Sequence, residues 1–143
     1  MKYLKIIILF LPLFSCSERS NVELFFDEEL KIQAENRKGQ FYYFINTQSC
    51  SGCLEINNLF LLENELDFLN LVFIGDMENR GFFNRQDYNL NNWSIKEIKE
   101  RSFFKYNIYT NDPLLVKFNE EGELKYAENI DVSQIGILKN LKN

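Results

Sequence analysis

Apolar residues along the 143-residue chain fall into short blocks separated by polar or glycine-bearing breaks. Phe41 to Ile45, Leu69 to Ile74 and Leu114 to Phe118 are continuous apolar or aromatic runs of strand length. They are bounded by Gly39 and Asn46, by Gly75-Asp76 and by Asn119, and such runs predict buried strands. Asn119 to Gly122 predicts a turn, with Gly122 suited to positive φ, and Glu123 to Ala127 a fourth strand. Helical spacing governs three other stretches. Val22 to Asn36 places Phe26, Leu30 and Ala34 four residues apart, with Gly39 to end the helix. Cys53 to Asn64 marks one face with Ile56, Leu59 and Phe60, and Asp131 or Ser133 caps a last helix bearing Val132, Ile135, Leu138 and Leu141. Ser94-Ile-Lys-Glu97 has the form of a capping box, with Trp93 placed to pack on Ile98, and predicts a helix start. Met77 to Asn92 is rich in asparagine and has no period. It reads as a long loop or excursion whose Phe82, Phe83 and Tyr88 pack down on the core.

The order is helix, strand, helix, strand, excursion, helix, then a strand hairpin and a closing helix. Parallel strands at the start and an antiparallel hairpin at the end predict an α/β sandwich with a mixed sheet. One domain, residues 22–143, accounts for the length, since two independent cores need on the order of 100 residues each.

Composition narrows the chemistry. A formal net charge of −5, without a basic stripe, argues against nucleic acid. The chain has no histidine, so Ser-His-Asp and Cys-His catalysis, HExxH zinc sites and histidine-ligated iron are all excluded. Cysteine, carboxylate, lysine and hydroxyl groups remain. With three cysteines and no histidine the four N or S ligands of a structural zinc site are lacking, which nearly excludes zinc, and no metal or cofactor is expected.

The N-terminus reads as an address. Lys2 and Lys5 precede nine apolar residues, Ile6 to Phe14, whereas a membrane-spanning helix needs about 20. Leu13-Phe14-Ser15-Cys16 resembles the lipobox of bacterial lipoproteins. That resemblance implies a signal peptide over 1–15, cleavage before Cys16, a lipid on its sulfur, and a polar tether over 16–21. Removal of Lys2 and Lys5 moves the net charge to −7. The implied location is the bacterial cell envelope, lipid-anchored and facing the periplasm or the exterior.

Cys50-Ser51-Gly52-Cys53 follows a predicted buried strand and opens a predicted helix. Helix N-terminal amides stabilise a thiolate at the first cysteine, and the second lies one turn in. In an exported chain the pair is either a redox dithiol or a structural disulfide. Leu54 stands where covalent haem attachment would need histidine. Further on, Lys105-Tyr-Asn-Ile108, then Pro113-Leu-Leu-Val-Lys-Phe118 and Gly122-Glu123, complete a pattern that resembles the thioredoxin-like superfamily, nearest to membrane-anchored envelope proteins of the TlpA/ResA kind.

The resemblance implies a thioredoxin-like α/β/α sandwich with a mixed central sheet, and a thiol-disulfide oxidoreductase. Cys50 would attack and Cys53 would resolve. Pro113 would carry the family's cis bond and, with Asp112, shape the substrate groove. Ser51 and Gly52 would tune the potential, where about 30 mV corresponds to about 1.4 kcal/mol. Partners would be cysteine-containing exported proteins and a membrane thiol carrier, with the chain a monomer. The chain departs from the family pattern at Ser49, where tryptophan is usual, and at Phe44, where a buried aspartate is usual. One extra residue separates Ile108 from Pro113, and Asp112 reads equally as a solvated turn residue. Two other functions are open: a binding or assembly lipoprotein with an inert Cys50–Cys53 disulfide, and a peroxide-reducing relative. The short loop such a disulfide closes gives little chain-entropy stabilisation, which favours redox use. The peroxide reading wants an arginine and a threonine before the cysteine; Thr47 is present but no arginine lies near.

Overall fold

The computed structural model describes residues 19–89, 93–108 and 111–142. The lipobox, Cys16 and the 1–15 signal segment lie outside these residues, as do half of the 16–21 tether and positions 90–92 of the excursion.

Five strands form one sheet in the order β3-β2-β1-β4-β5. They are β1 Phe41–Asn46, β2 Leu69–Ile74, β3 Ser94–Ile98, β4 Leu114–Phe118 and β5 Leu124–Asn129. β1, β2 and β3 run parallel, β4 pairs antiparallel with β1, and β5 pairs antiparallel with β4. The period of two in a strand sends alternate residues to opposite faces. Tyr43, Ile45, Leu71, Phe73 and Leu115 therefore pack on one side, with Leu54 and Leu61 of α3 (Ser51–Glu63) and Leu138 of the C-terminal 3-10 helix (Val132–Lys142). Tyr42, Phe44, Val72, Val116 and Phe118 pack on the other, with Phe25 and Phe26 of α1 (Asn21–Glu28) and Phe103 of α5 (Glu100–Lys105). The mixed α/β/α sandwich expected from the sequence is the observed architecture. Burial on both faces also explains why β1, β2 and β4 read as continuous apolar runs.

Three expectations fail. The long first helix stops at Glu28, the backbone turns at Lys31 (φ 56°), and a single turn, α2 (Ala34–Arg37), follows. The break lets buried Arg37 reach Asp27 Oδ1 at 2.8 Å and donate to the Gly122 carbonyl at 2.8 Å. The Ser94–Glu97 segment is not a capped helix start but β3. Trp93 and Ile95 face one core and Ile98 the other, which is strand parity. Pairing with β2 satisfies a whole row of backbone groups, which outweighs one local cap. Helix α3 buries Leu54, Asn57 and Leu61, leaving the expected Ile56 and Leu59 exposed. The expected closing helix forms with 3-10 geometry, and Asp131 accepts the Ser133 amide at 2.7 Å.

Between β2 and β3 the excursion is held down by buried Met77, Phe83 and Tyr88. A short helix, α4 (Arg85–Asn89), lies within it, and the Tyr88 hydroxyl donates to Asn58 of α3 at 2.7 Å.

Candidate functional site

Strand β1 ends at Asn46, and four residues later Cys50 occupies the N-cap of α3. The strand delivers the chain to the C-terminal end of the parallel strands, and the helix begins there because Cys50 adopts extended backbone (φ −59°, ψ 140°) while its carbonyl accepts from Leu54 N–H at 3.0 Å. Its sulfur accepts the Cys53 N–H at 3.1 Å, taking the place of the usual N-cap oxygen. Sulfur at this position receives both an amide hydrogen and the positive end of a 13-residue helix dipole, the two influences that favour a thiolate. Cys50 is exposed and Cys53 is half-buried, and the two are joined as a disulfide. Gly52 has open space around the position a Cβ would take, so its role is not to relieve crowding.

An open groove of about 320 Å³ runs past the pair, lined by Asn46, Gln48, Ser49, both cysteines, Asn111 and Asp112. The far wall comes from the loop before β4. Ser49 Oγ ties the walls together by donating to the Asn111 carbonyl at 2.9 Å across 62 positions of sequence. Asp112 thus sits in the groove with both cysteines, and its charge, after burial itself, pushes the Tyr43 phenol above the ordinary tyrosine range. Pro113 is a correction. It is buried behind the groove at the head of β4, its carbonyl accepting from Ile130 N–H at 2.7 Å. Among the described residues no peptide bond is cis, that of Asp112–Pro113 included. Asn111 and Asp112, just ahead of Pro113, line the groove. Asn107 adopts φ 53°, a left-handed conformation that asparagine tolerates better than most side chains.

Two residues missed by sequence reasoning belong to this site. Beneath the dithiol turn, Asn57 donates to the Cys53 carbonyl at 2.8 Å and accepts from the Tyr43 hydroxyl at 2.6 Å; both residues are buried. Where the family pattern has a buried acid, Phe44 instead packs among Phe25, Phe26 and Phe103, so the polar support of the turn is neutral. The second is Arg80. Its guanidinium donates to the Ser49 carbonyl and to Ser51 Oγ, each at 2.6 Å, on either side of Cys50. This corrects the expectation that no arginine lies near the pair: an arginine 27 positions after Cys53 carries no spacing signal, and only the fold of the excursion brings it here. Thr47 points elsewhere: buried, it donates to the Ile74 carbonyl at 3.0 Å, which removes the threonine that the peroxide reading requires.

No family model matches the chain, and no curated protein does. The solved structures similar to it include the following two. One is the solution structure of a protein classed as a thiol-disulfide oxidoreductase from Bacteroides vulgatus, at 15% identity and a TM-score of 0.45 over 76% of each chain. The other is the crystal structure of StoA from Bacillus subtilis, at 19% identity and a TM-score of 0.40, covering 74% of this chain and 84% of that one.

Proposed function

We propose that the chain is a thiol-disulfide oxidoreductase acting on cysteines of exported proteins. The observation that carries this reading is the exposed Cys50 sulfur at the N-cap of α3, accepting the Cys53 amide and bordering an open groove. In the reducing direction, the Cys50 thiolate attacks one sulfur of a client disulfide. A Cys50–client bond forms, the client S–S bond breaks, and one client thiolate leaves. Cys53 then loses its proton to solvent or to that thiolate and attacks the Cys50 sulfur. The Cys50–Cys53 bond forms, the second client thiolate leaves, and two electrons have passed to the client. The oxidising direction is the same sequence reversed. The neutral polar groups of the groove, Asn46, Gln48 and the backbone near Asn111, suit an extended peptide segment flanking the client cysteine.

The envelope setting rests on the lipobox-like Leu13–Cys16 and the preceding apolar run. In this reading Cys16 anchors the domain, and a membrane thiol carrier exchanges electrons with the Cys50–Cys53 pair. Among the described residues, no helix is long and apolar enough to cross a membrane.

Trapping tests the proposal. Cys53→Ala removes the resolving thiol, so mixed disulfides with client proteins accumulate in cells, while a Cys50→Ala control accumulates none. In the reduced protein Cys50 titrates below the free-cysteine value of about 8.5 and is alkylated ahead of Cys53. Equal, slow labelling of both thiols, with no trapped partner above the control, assigns the pair to a structural disulfide in a binding lipoprotein.

A further inference from the structure

We infer that Arg80 is a positioning residue of the dithiol centre, delivered by the 77–89 excursion to stabilise the Cys50 thiolate and set its potential; this rests on the oxidoreductase reading. Its guanidinium brackets Cys50, holding the carbonyl of the residue before it and the hydroxyl of the residue after it. From the 2.6 Å contact to the Ser49 carbonyl, covalent geometry puts that guanidinium nitrogen within about 8 Å of the Cys50 sulfur.

Both acceptors are neutral, and among the described residues no carboxylate lies within 4.0 Å of Arg80. The neighbouring acids of the excursion are turned to other tasks. Asp76 accepts from the Glu78 amide, Glu78 accepts from the Arg85 amide, and Arg85 pairs with Glu97 on β3. The Arg80 charge is therefore directed at the dithiol turn rather than consumed in an ion pair.

The segment is built to hold it there. Met77 and Phe83 are buried anchors on either side of Arg80, Gly81 reverses the chain at φ 70°, and the guanidinium lies 5.6 Å from the Phe82 ring centroid. The charged groups around the sulfur oppose one another. Asp112, the charged residue of the groove lining, disfavours a thiolate, whereas Arg80 and the α3 N-terminus favour it. Reduction creates the anion next to the guanidinium, while the disulfide carries no charge. Arg80 thus stabilises the reduced form selectively and makes the pair more oxidising.

The test uses the whole chain reduced with dithiothreitol, with Cys50 alkylation by iodoacetamide followed against pH and the potential measured against glutathione. Arg80→Ala raises the Cys50 pKa by about half a unit to one unit. It lowers the potential by up to about 30 mV per unit. R80K, which keeps the charge, recovers most of both values; R80Q, which keeps hydrogen-bond donors only, behaves like R80A. Sodium chloride at 1 M narrows the gap between wild type and R80A. The inference is overturned if R80A leaves pKa and potential unchanged, or if Gln restores them as well as Lys does. In those outcomes Cys50 still labels ahead of Cys53 and the oxidoreductase reading stands. If Cys50 in the unsubstituted protein labels no faster than Cys53, that reading itself fails.

Discussion

The buried link from Tyr43 through Asn57 to the Cys53 carbonyl makes a quantitative demand. Both side chains are shielded from water, Tyr43 at 0% and Asn57 at 1% exposure, and their mutual bond is 2.6 Å. Tyr43→Phe deletes the hydroxyl and strands Asn57 Oδ1 without its donor. A buried acceptor left unmatched costs about 1–3 kcal/mol. Asn57→Leu fills the same space but strands the Tyr43 hydroxyl and removes the 2.8 Å bond to the Cys53 carbonyl, with a cost of the same order. The double variant replaces both partners with apolar groups of similar shape, which is nearly neutral for the pair itself. Its cost therefore falls short of the sum of the single costs by about 1–2 kcal/mol. Urea unfolding of the oxidised protein at pH 7 measures all three, with an unchanged slope showing that the denatured state is comparable. Single costs that add within about 0.5 kcal/mol refute the coupling, because independent sites behave that way.

Two further outcomes follow from burial and close approach. Tyr43 and Tyr88 are both raised above the ordinary tyrosine value, chiefly by burial and secondarily by Asp112 and Asp87 respectively. Their contribution is whole below about pH 10. It is lost as pH climbs toward their folded-state values, because the unfolded chain releases these protons first, at about 1.4 kcal/mol per pH unit per tyrosine. Urea midpoints recorded above pH 10 decline accordingly; Tyr43→Phe or Tyr88→Phe flattens that decline, and equal slopes in variant and parent would contradict it. Gly122→Ala places a Cβ 2.0 Å from the Ala34 carbonyl oxygen at φ 82°, so it destabilises by about 2 kcal/mol or more in the same urea assay. An unaltered midpoint would mean that the Arg37–Gly122 corner is not rigid.

The parts of the fold legible in the sequence are those governed by local pattern. β2 and β4 have the bounds that their apolar runs predict, and β1 extends its run by one residue, because central strands buried on both faces leave no other reading. The Cys50-to-Cys53 turn was legible for the same reason: it is a local motif between a strand and a helix. Where long-range pairing decides, the sequence misleads. Ser94 and Glu97 have the identities of a helix cap, yet the open edge of β2 claims them as a strand. Asn57 looked like one more polar helix residue, because its partner Tyr43 lies on β1. Arg80 had no signal at all, since its contact with Ser49 and Ser51 depends on the anchoring of Met77, Phe83 and Tyr88. Asn111 had no signal either, since its carbonyl meets the Ser49 hydroxyl across 62 positions of sequence at the groove.

The single tryptophan was expected at a helix start and lies instead in the core, its ring centroid 5.5 Å from that of Tyr88 in an edge-on contact. Tyr88 is bound through its hydroxyl to α3, and the polypeptide between β2 and β3 that contains it also contains Arg80. Indole emission from this chain therefore comes from one site only, and that site is the far flank of the segment gripping the dithiol turn. A spectral shift or a gain in quencher access at Trp93 reports that the segment has lifted, an optical signal separate from sulfur chemistry and measurable on the unlabelled protein.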